Sequence, residues 1–264
     1  MKLTIATVVF NAEKTIYRSS QAIKHEISNY ENSSNIEYLV IDGNSKDRTL
    51  DIIKQTFIGV ENLRIISEQD SGIYDAYNKA VNNASGSFIW FVNGDDIIRP
   101  GSLKIVMQKI DKHPQHDLLC FSLNRVNNGT GFFKLHLRDT KHPIKLFSPV
   151  CHTHAVIFNR KSIIKSKLFD ASLSICADFK LIQSIYRVGR VKGFKDCVID
   201  MHLGGVSSQY KTEYIKANEQ IFIILSQPEG IVIKAFYCFK IIVKLIRNTT
   251  INPILRFIKS SAKL

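Results

Sequence analysis

The chain has 264 residues, of which 45% are hydrophobic, and this length suits one large α/β domain with or without an appendage. Its 36 basic and 23 acidic side chains give a net charge of +13, which favours an anionic partner. The five cysteines include no C-x-x-C pair, so a disulfide framework and a zinc site are both disfavoured.

The first residues resemble a signal peptide only superficially. The apolar run after Lys2 is short and breaks at residues 11–14 with no small-residue cleavage site, so we interpret it as a first strand. No uninterrupted run of about 18 apolar residues occurs, and no simple membrane span is expected. These observations predict a cytoplasmic protein.

Strand and helix patterns alternate through the N-terminal half. Runs rich in β-branched and aromatic residues predict strands at Leu3–Val9, Ile36–Asp42, Leu63–Ser67 and Phe88–Val92. Helical spacing predicts helices from about residues 13 and 48, and a third with one apolar face formed by Ile73, Tyr77, Ala80, Val81 and Ala84. The alternation predicts a doubly wound, mostly parallel α/β sheet.

Acidic side chains follow two of these strands. Asp95 and Asp96 come just after the apolar run 88–92, and Asp42 ends the second strand. Ligands bind outside the carboxyl ends of strands in open α/β sheets, and carboxylate oxygens suit Mg²⁺ or Mn²⁺. The alternatives are a simple Asn-Gly-Asp-Asp turn at 93–96 and a turn-capping role for Asp42 beside Gly43.

The third helix offers two further candidates for binding an anion. Asp70 and Gly72 precede Ile73, where backbone N–H groups could face a phosphate. Asn78 lies on the polar face of the same helix, where a solvated surface is the alternative interpretation. The chain has neither a P-loop nor a G-x-G-x-x-G motif, which disfavours ordinary ATPase and dinucleotide functions.

Four segments together resemble family 2 glycosyltransferases, in particular bacterial enzymes that build surface polysaccharides. The segments are TVVFNAEKTI, EYLVIDGNSKDRT, SEQDSGIYDAYNKAVNNASGSFIWFVNGDD and GGVSS, and the resemblance covers about the first two hundred residues. It implies the GT-A fold, a nucleotide-sugar donor, a divalent metal and inversion at the anomeric carbon.

The resemblance also assigns roles to residues of the N-terminal half. It implies that a nucleotide is bordered by Thr7, Phe10, Asn11 and Ala12. Asp42 matches the acid that recognises the base, typically uracil. Asn93, Asp95 and Asp96 match the D-x-D-D box, in which Asn93 replaces the first acid. Asp95 is then the expected metal ligand and Asp96 helps to hold the donor. Tyr77 stands where many relatives have an arginine.

The second half is expected to supply the acceptor side. Asp178, at the start of a predicted helix, matches the family's general base; helix N-capping is the alternative. His152 or His154 matches a histidine near the donor site, and the sequence does not decide between them. His202 precedes a Gly-Gly loop and is expected near the metal.

The tail differs from the rest of the chain. The segment Ile231–Ile246 is strongly apolar and interrupted by lysines, and residues 230–264 contain seven Lys or Arg and no acid. A basic, apolar helix suits an anionic membrane interface; the alternative is a helix packed back on the catalytic domain. We therefore expect a GT-A domain over 1–210, comprising a nucleotide-sugar half at 1–98 and an acceptor half at 99–210. A helical, basic-apolar C-terminal extension over 211–264 would follow it.

These expectations combine into one predicted function. The protein would be a metal-dependent (Mn²⁺ or Mg²⁺) inverting glycosyltransferase on the inner face of the plasma membrane. It would move a sugar from a UDP-hexose or UDP-N-acetylhexosamine donor to a lipid-linked oligosaccharide, and the resemblance implies an undecaprenyl-diphosphate carrier.

Three alternatives stay open at this point. A sugar nucleotidyltransferase is disfavoured because no Gly-rich basic signature follows the first strand. A nucleic-acid-binding protein is disfavoured because the basic residues concentrate in an apolar tail, and no nucleic-acid partner is expected. Asn93 leaves open a catalytically inactive sugar-binding module.

Overall fold

The structure is a computed structural model, which describes residues 2–126, 133–135, 152–202, 212–226, 228, 230–246 and 249. The chain forms two compact units. The first comprises Met1–Ala171 and Ala177–Leu203, and the second comprises Ser172–Cys176 and Gly204–Leu264. The predicted boundary at residue 210 lies outside the described residues and stays a prediction.

The first unit is built around one sheet. Its strands are β1 Leu3–Val9, β2 Ile36–Asp42, β3 Leu63–Ser67, β4 Phe88–Phe91, β5 Ile97–Ile98, β6 Leu118–Val126, β7 Phe133–Leu135, β8 Val156–Asn159 and β9 Val191–His202. Its helices are α1 Ile16–Ser28, α2 Thr49–Thr56, α3 Ile73–Asn83, α4 Ser102–Lys112, α5 Arg160–Lys165 and α6 Ala177–Val188. The first four strands lie at the predicted positions, but α1 begins at Ile16 rather than near residue 13.

The sheet has two regions that differ in strand direction. Its order is β3-β2-β1-β4-β8-β6-β9-β5, with β7 paired to β6. The strands β3, β2, β1 and β4 are all parallel, which confirms the predicted doubly wound half. Beyond β4 the sheet is mixed, because β8 lies antiparallel between β4 and β6.

The core lies on both faces of the central strands, which explains their near-continuous apolar sequences. Tyr38, Trp90 and Phe91 are fully buried. One expectation for α3 is wrong: Ile73 is 45% exposed, and Tyr74 is buried in its place. Tyr74 instead stacks on the Phe169 ring at a centroid distance of 6.0 Å.

The amino end of the parallel half has its own polar network. The Thr4 hydroxyl donates to Glu37 Oε2 at 2.6 Å, and Ser85 N–H donates to the same oxygen at 2.8 Å. Gly86 N–H donates to Thr4 Oγ1 at 2.9 Å. A Cβ at Gly86 would lie 2.5 Å from the Thr4 nitrogen, so the backbones approach too closely for any side chain there.

The second unit contains helices α7, Glu213–Leu225, and α8, Ile231–Ile246, and the latter coincides with the predicted apolar segment. Within this unit, Glu219 accepts hydrogen bonds from three consecutive backbone N–H groups, those of Ser174, Ile175 and Cys176, at 2.6, 2.9 and 2.8 Å. No helix among the described residues has both the length and the apolar character needed to cross a membrane.

Candidate active site

The turn that carries the acidic residues is fastened to the sheet at the carboxyl end of β4. The Thr7 hydroxyl on β1 donates to the Val92 carbonyl at 2.7 Å, and the Ser19 hydroxyl on α1 donates to the Asn93 carbonyl at 3.1 Å. Asp96 N–H closes the turn on the same Asn93 carbonyl. Thr7 is completely buried and supports this turn, and its predicted contact with a nucleotide stays a prediction.

A chain of contacts runs through the turn from Tyr77 to Asp96. The Tyr77 hydroxyl donates to Asn93 Oδ1 at 2.9 Å, and Asn93 Nδ2 lies 3.0 Å from His154 Nε2. His154 Nδ1 lies 2.9 Å from Oδ2 of Asp96, which is 1% exposed. Of the two candidate histidines, His154 therefore contacts the acidic turn. Asn93 binds protein groups here, so nucleotide contact by Asn93 stays a prediction.

Three carboxylates act on the same two buried groups. Burial lowers the pKa of His154, but Asp96, Asp95 and Asp178 together raise it above its ordinary value. Burial raises the pKa of Tyr77, and the same three carboxylates raise it further. The fold thus brings Asp178 close to Asp95 and Asp96, although more than 80 residues separate them in sequence.

The ionised form of Asp95 is disfavoured by its surroundings. Burial and the adjacent Asp96 raise the pKa of Asp95, while His154 and His202 oppose the shift. His202, at the end of β9, has a buried Nδ1 to which no described residue hydrogen-bonds. His202 therefore lies within electrostatic range of Asp95, and metal binding by these two side chains stays a prediction. No group of three or more potential metal-ligating side chains occurs among the described residues.

Asp178 lies in the first turn of α6, partly exposed, with both carboxylate oxygens oriented by neighbours. Thr153 Oγ1 donates to Oδ2 at 2.7 Å. The Tyr74 hydroxyl donates to Oδ1 at 3.3 Å, and Phe179 N–H donates to the same oxygen at 2.7 Å. A carboxylate held in this way can accept a proton from a bound hydroxyl group.

Asp42 has a different environment. It is fully buried, and its Oδ2 accepts hydrogen bonds from the Ser67 hydroxyl at 2.6 Å and the Ser45 N–H at 3.1 Å. This is the turn-capping role that the sequence left open. Contact of Asp42 with a nucleobase stays a prediction.

The predicted nucleotide segment 10–12 is joined to the turn after β2. Asn11, in the left-handed region at φ 49°, donates its N–H to Ser45 Oγ at 2.8 Å, and Ala12 N–H donates to Thr49 Oγ1 at 2.7 Å. The Phe10 ring is left 63% exposed. The loops after β1 and β2 therefore form one hydrogen-bonded rim with an exposed aromatic ring.

The candidate residues on the α3 side form hydrogen bonds within the protein. Gly72 N–H donates to Asp70 Oδ1 at 3.0 Å, and Ser71 N–H donates to Asp75. These N–H groups are thus occupied by carboxylates, and donor binding at Asp70 and Gly72 stays a prediction. The Asn78 amide exchanges two 2.9 Å hydrogen bonds with the Phe169 backbone and so fixes that segment, and contact of Asn78 with a nucleotide stays a prediction.

The Asp70 side chain lies beside the rim that the loops after β1 and β2 form. A Cβ built on Gly43 would lie 2.6 Å from Asp70 Oδ2 and 3.4 Å from Phe10 Cδ2, so both side chains converge on the Gly43 backbone. Asp70 is partly exposed, whereas Asp42 is not. Asp70 and Phe10 are therefore accessible side chains of this rim, and contact of either with a nucleotide stays a prediction.

The fold and the site together define a class of protein. A doubly wound parallel half, an acidic turn at its carboxyl edge and a mixed second half constitute the GT-A architecture. The structure matches that of S. aureus TarS 1–349 in complex with UDP-GlcNAc, with a TM-score of 0.70 and 19% identity. The match covers 94% of this chain and 72% of the TarS chain. It also matches a mannosyltransferase from Pyrobaculum calidifontis in complex with GDP-Man and Mn²⁺, with a TM-score of 0.59, 13% identity and coverages of 93% and 69%.

The sequence comparisons identify the family. The family model for glycosyl transferase family 2 matches residues 4–169, and the chain belongs to this family. It is 25% identical to glycosyltransferase GlyA of Streptococcus pneumoniae over 56% of this chain. It is 24% identical to the minor teichoic acid biosynthesis protein GgaB of Bacillus subtilis over 67% of this chain. The chain spans 20% of the length of each of these two relatives.

Proposed function

We propose that the protein transfers a sugar from a nucleotide-diphosphate donor to a hydroxyl group, with inversion at the anomeric carbon. The observation that carries this proposal is the convergence of Asp178 with Asp95 and Asp96 around Tyr77 and His154. Inverting transfer needs a carboxylate base on the acceptor side and charge stabilisation on the diphosphate side. Family membership supports the same reaction.

The chemistry is a single displacement. The acceptor oxygen forms a bond to the anomeric carbon as the bond from that carbon to the diphosphate oxygen breaks. The acceptor's proton passes to a carboxylate oxygen of Asp178, and the nucleoside diphosphate leaves with the bonding electron pair. Asp96, held by His154, and Asn93, held by Tyr77, fix the turn against which the diphosphate would lie.

The residues present fit a divalent cation. Asp95 is a carboxylate whose charged form is poorly compensated, and the buried Nδ1 of His202 has no partner among the described residues. An oxygen and a nitrogen ligand suit Mn²⁺, and Mg²⁺ bound through one or two carboxylates with substrate phosphates is common. A cation bound there would neutralise charge on the diphosphate.

We propose a UDP-sugar, a hexose or N-acetylhexosamine, as the donor. Support comes from the exposed Phe10 ring and the partly exposed Asp70 carboxylate on the rim beside Gly43, where a base could stack and hydrogen-bond. The similarly folded TarS was solved with UDP-GlcNAc, which supports the same donor class.

The proposed acceptor is a lipid-linked oligosaccharide of surface-polysaccharide synthesis, with an undecaprenyl-diphosphate carrier. Support comes from GgaB, a protein of teichoic acid biosynthesis that is similar to most of this chain. Such an acceptor would place the enzyme peripherally on the inner face of the plasma membrane.

Helix α8 supports that location. Its outward face consists of seven apolar side chains that are between 45% and 78% exposed, namely Ile231, Val232, Phe236, Phe239, Ile242, Val243 and Ile246. The opposite face includes the buried Tyr237, and Lys234 Nζ on the inner side donates to the Leu225 carbonyl of α7. Lys240 is exposed and lies at the border of this apolar face, as suits a helix lying in an anionic lipid surface.

The decisive test of the reaction is nucleotide release from a panel of UDP-, GDP- and dTDP-sugars, with and without Mn²⁺ or Mg²⁺. Slow hydrolysis of one donor requires no knowledge of the acceptor. We expect metal-dependent release of UDP from one sugar, lost in Asp95→Ala and reduced in Asp178→Asn. If no nucleotide is released and calorimetry detects no donor binding, the proposed glycosyltransferase activity is refuted.

Membrane attachment is tested by sedimentation with phosphatidylglycerol or phosphatidylcholine vesicles. We expect binding to the anionic vesicles only, weakened in Phe239→Ser and in Lys240→Gln. Val188→Ser is the matched control, because Val188 is 83% exposed on α6 and should not contribute. Failure to bind either vesicle, with self-association of the wild type in solution, would assign the α8 face to a protein contact instead.

A further inference from the structure

The 3₁₀ turn Thr153–Ala155 contacts both sides of the candidate site. Thr153 donates its hydroxyl to Asp178 on the acceptor side at 2.7 Å. Its neighbour His154 lies 2.9 Å from Asp96 on the donor side. Two consecutive residues of one turn thus touch the proposed base and the acidic turn.

The turn is itself fixed to the strand that precedes the acidic residues. It leads directly into β8, which pairs antiparallel with β4 so that Ile157 lies opposite Trp90. The Trp90 indole N–H donates to the His154 carbonyl at 2.8 Å. Because Trp90 is completely buried, the turn has little freedom to move relative to β4.

Thr153 is suited to orienting a carboxylate. It is 3% exposed, and a β-branched side chain has few accessible χ1 rotamers, so its hydroxyl position is well defined. Asp178 is only partly buried and could otherwise rotate toward solvent. Oδ1 accepts a 2.7 Å bond from the Phe179 N–H and a longer 3.3 Å bond from the Tyr74 hydroxyl, whereas the 2.7 Å bond to Oδ2 comes from Thr153.

We propose that Thr153 is a positioning residue for the general base, and that the 153–155 turn sets the placement of Asp178 relative to the donor-side acids. The inference rests on the proposed function, in which Asp178 takes the acceptor's proton. Thr153 does not touch the reacting atoms; it fixes the rotamer of the carboxylate that does. Reactivity depends steeply on such placement, and a misplacement of about 1 Å can cost about 10²-fold in rate.

The test compares Thr153→Val with Thr153→Ser. Valine preserves the volume and the β-branch but removes the hydroxyl, whereas serine restores it. With the donor identified by the panel and water as acceptor, we expect kcat for UDP release to fall about 10- to 100-fold in the valine variant. Its KM for the donor and its calorimetric donor affinity should stay within about 2-fold of wild type, because the donor side is untouched.

The serine variant should recover kcat to within about 3-fold of wild type, which a purely steric role of Thr153 would not predict. Thermal unfolding of the valine variant establishes that it is folded. An active wild type with an unaffected valine variant would overturn the positioning role while leaving the proposed function intact. A wild type that neither binds nor hydrolyses any donor would refute the proposed function, and the role of Thr153 with it.

Discussion

Buried or partly buried carboxylates lie at both ends of the parallel half of the sheet, and their surroundings shift their pKa values in opposite directions. At the amino end, burial works to raise the pKa of Glu37, but hydrogen bonds from Thr4 and Ser85 and the charge of Arg64 outweigh it and lower the pKa. At the carboxyl end, burial and Asp96 raise the pKa of Asp95. Neighbouring groups of the protein therefore compensate the charge of Glu37, whereas the charge of Asp95 is only partly compensated.

Position at the end of a parallel strand does not by itself decide whether an acidic residue is structural or is available to a ligand. Asp42 and Asp95 both follow parallel strands, but the Asp42 carboxylate is occupied by Ser45 and Ser67. Charge left uncompensated within a fold is characteristic of binding sites, and compensated charge is characteristic of structural networks. Substitutions at the two ends should therefore separate activity from stability.

The largest effect is expected for Asp95→Asn. Donor turnover should fall at least about 10²-fold, because the diphosphate loses charge stabilisation. The free energy of unfolding should not fall, since the amide removes a carboxylate whose ionised form is unfavourable in the fold. Mn²⁺ should raise the melting temperature of the wild type but not of this variant.

Asp51→Asn, on the exposed face of α2, is the control for that measurement. It removes one negative charge away from the site and should leave turnover and the Mn²⁺ effect unchanged. Equal losses in both variants would mean that overall charge, not a site at Asp95, controls the reaction.

Gly86→Ala should have the next largest effect, and on stability rather than chemistry. The new Cβ would meet the backbone of Leu3 and Thr4 at 2.8 and 2.5 Å, where no flexible side chain can yield. We expect a loss of about 1–3 kcal/mol in unfolding free energy, measured in urea, with kcat per folded molecule retained. Gly230→Ala, where a Cβ would meet nothing within 4 Å, should be nearly neutral.

The smallest effect is expected for Glu37→Gln. A carboxylate with a lowered pKa in the fold stabilises it above the unfolded-state pKa, and this contribution is lost as the pH falls through the folded-state value. The variant should be less stable than wild type by about 1 kcal/mol at neutral pH, because a charge-assisted bond becomes a neutral one. Unfolding in urea at several pH values should show the difference shrinking below the ordinary pKa of 4.5. A difference independent of pH would contradict the assignment.

The sequence was sufficient for the parallel half of the fold and for the position of its acidic turn. Strand and helix periodicities are local signals, and β1 to β4 lie where those signals placed them. The apolar face of α3 was predicted less well, because Ile73 and Tyr74 are adjacent and only the aromatic contact with Phe169 decides which is buried. The hydrogen bonds between Asn78 and Phe169, which are 91 residues apart, likewise have no local signal in the sequence.

The sequence predicts the acidic residues of the candidate site but not the side chains that orient them. Asp95, Asp96 and Asp178 stand out from the sequence because carboxylates at strand and helix ends are recognisable. Thr153 carries no local signal, since its bond to Asp178 exists only after β8 has paired with β4. Tyr74 was overlooked for the same reason. Side chains that orient a reacting group are defined by long-range pairing, which a single sequence does not display.

The insertion of β8 between β4 and β6 also has a consequence for how the molecule is made. Residues 156–159 are synthesised after both of their neighbours, so a nascent chain ending near residue 126 carries two strands with unfilled edges. Unpaired strand edges are prone to association with other chains, and distant pairings form slowly. The edge of β4 that pairs with β8 therefore stays open in the nascent chain until residues 156–159 have been synthesised, and association with other chains is favoured during this interval.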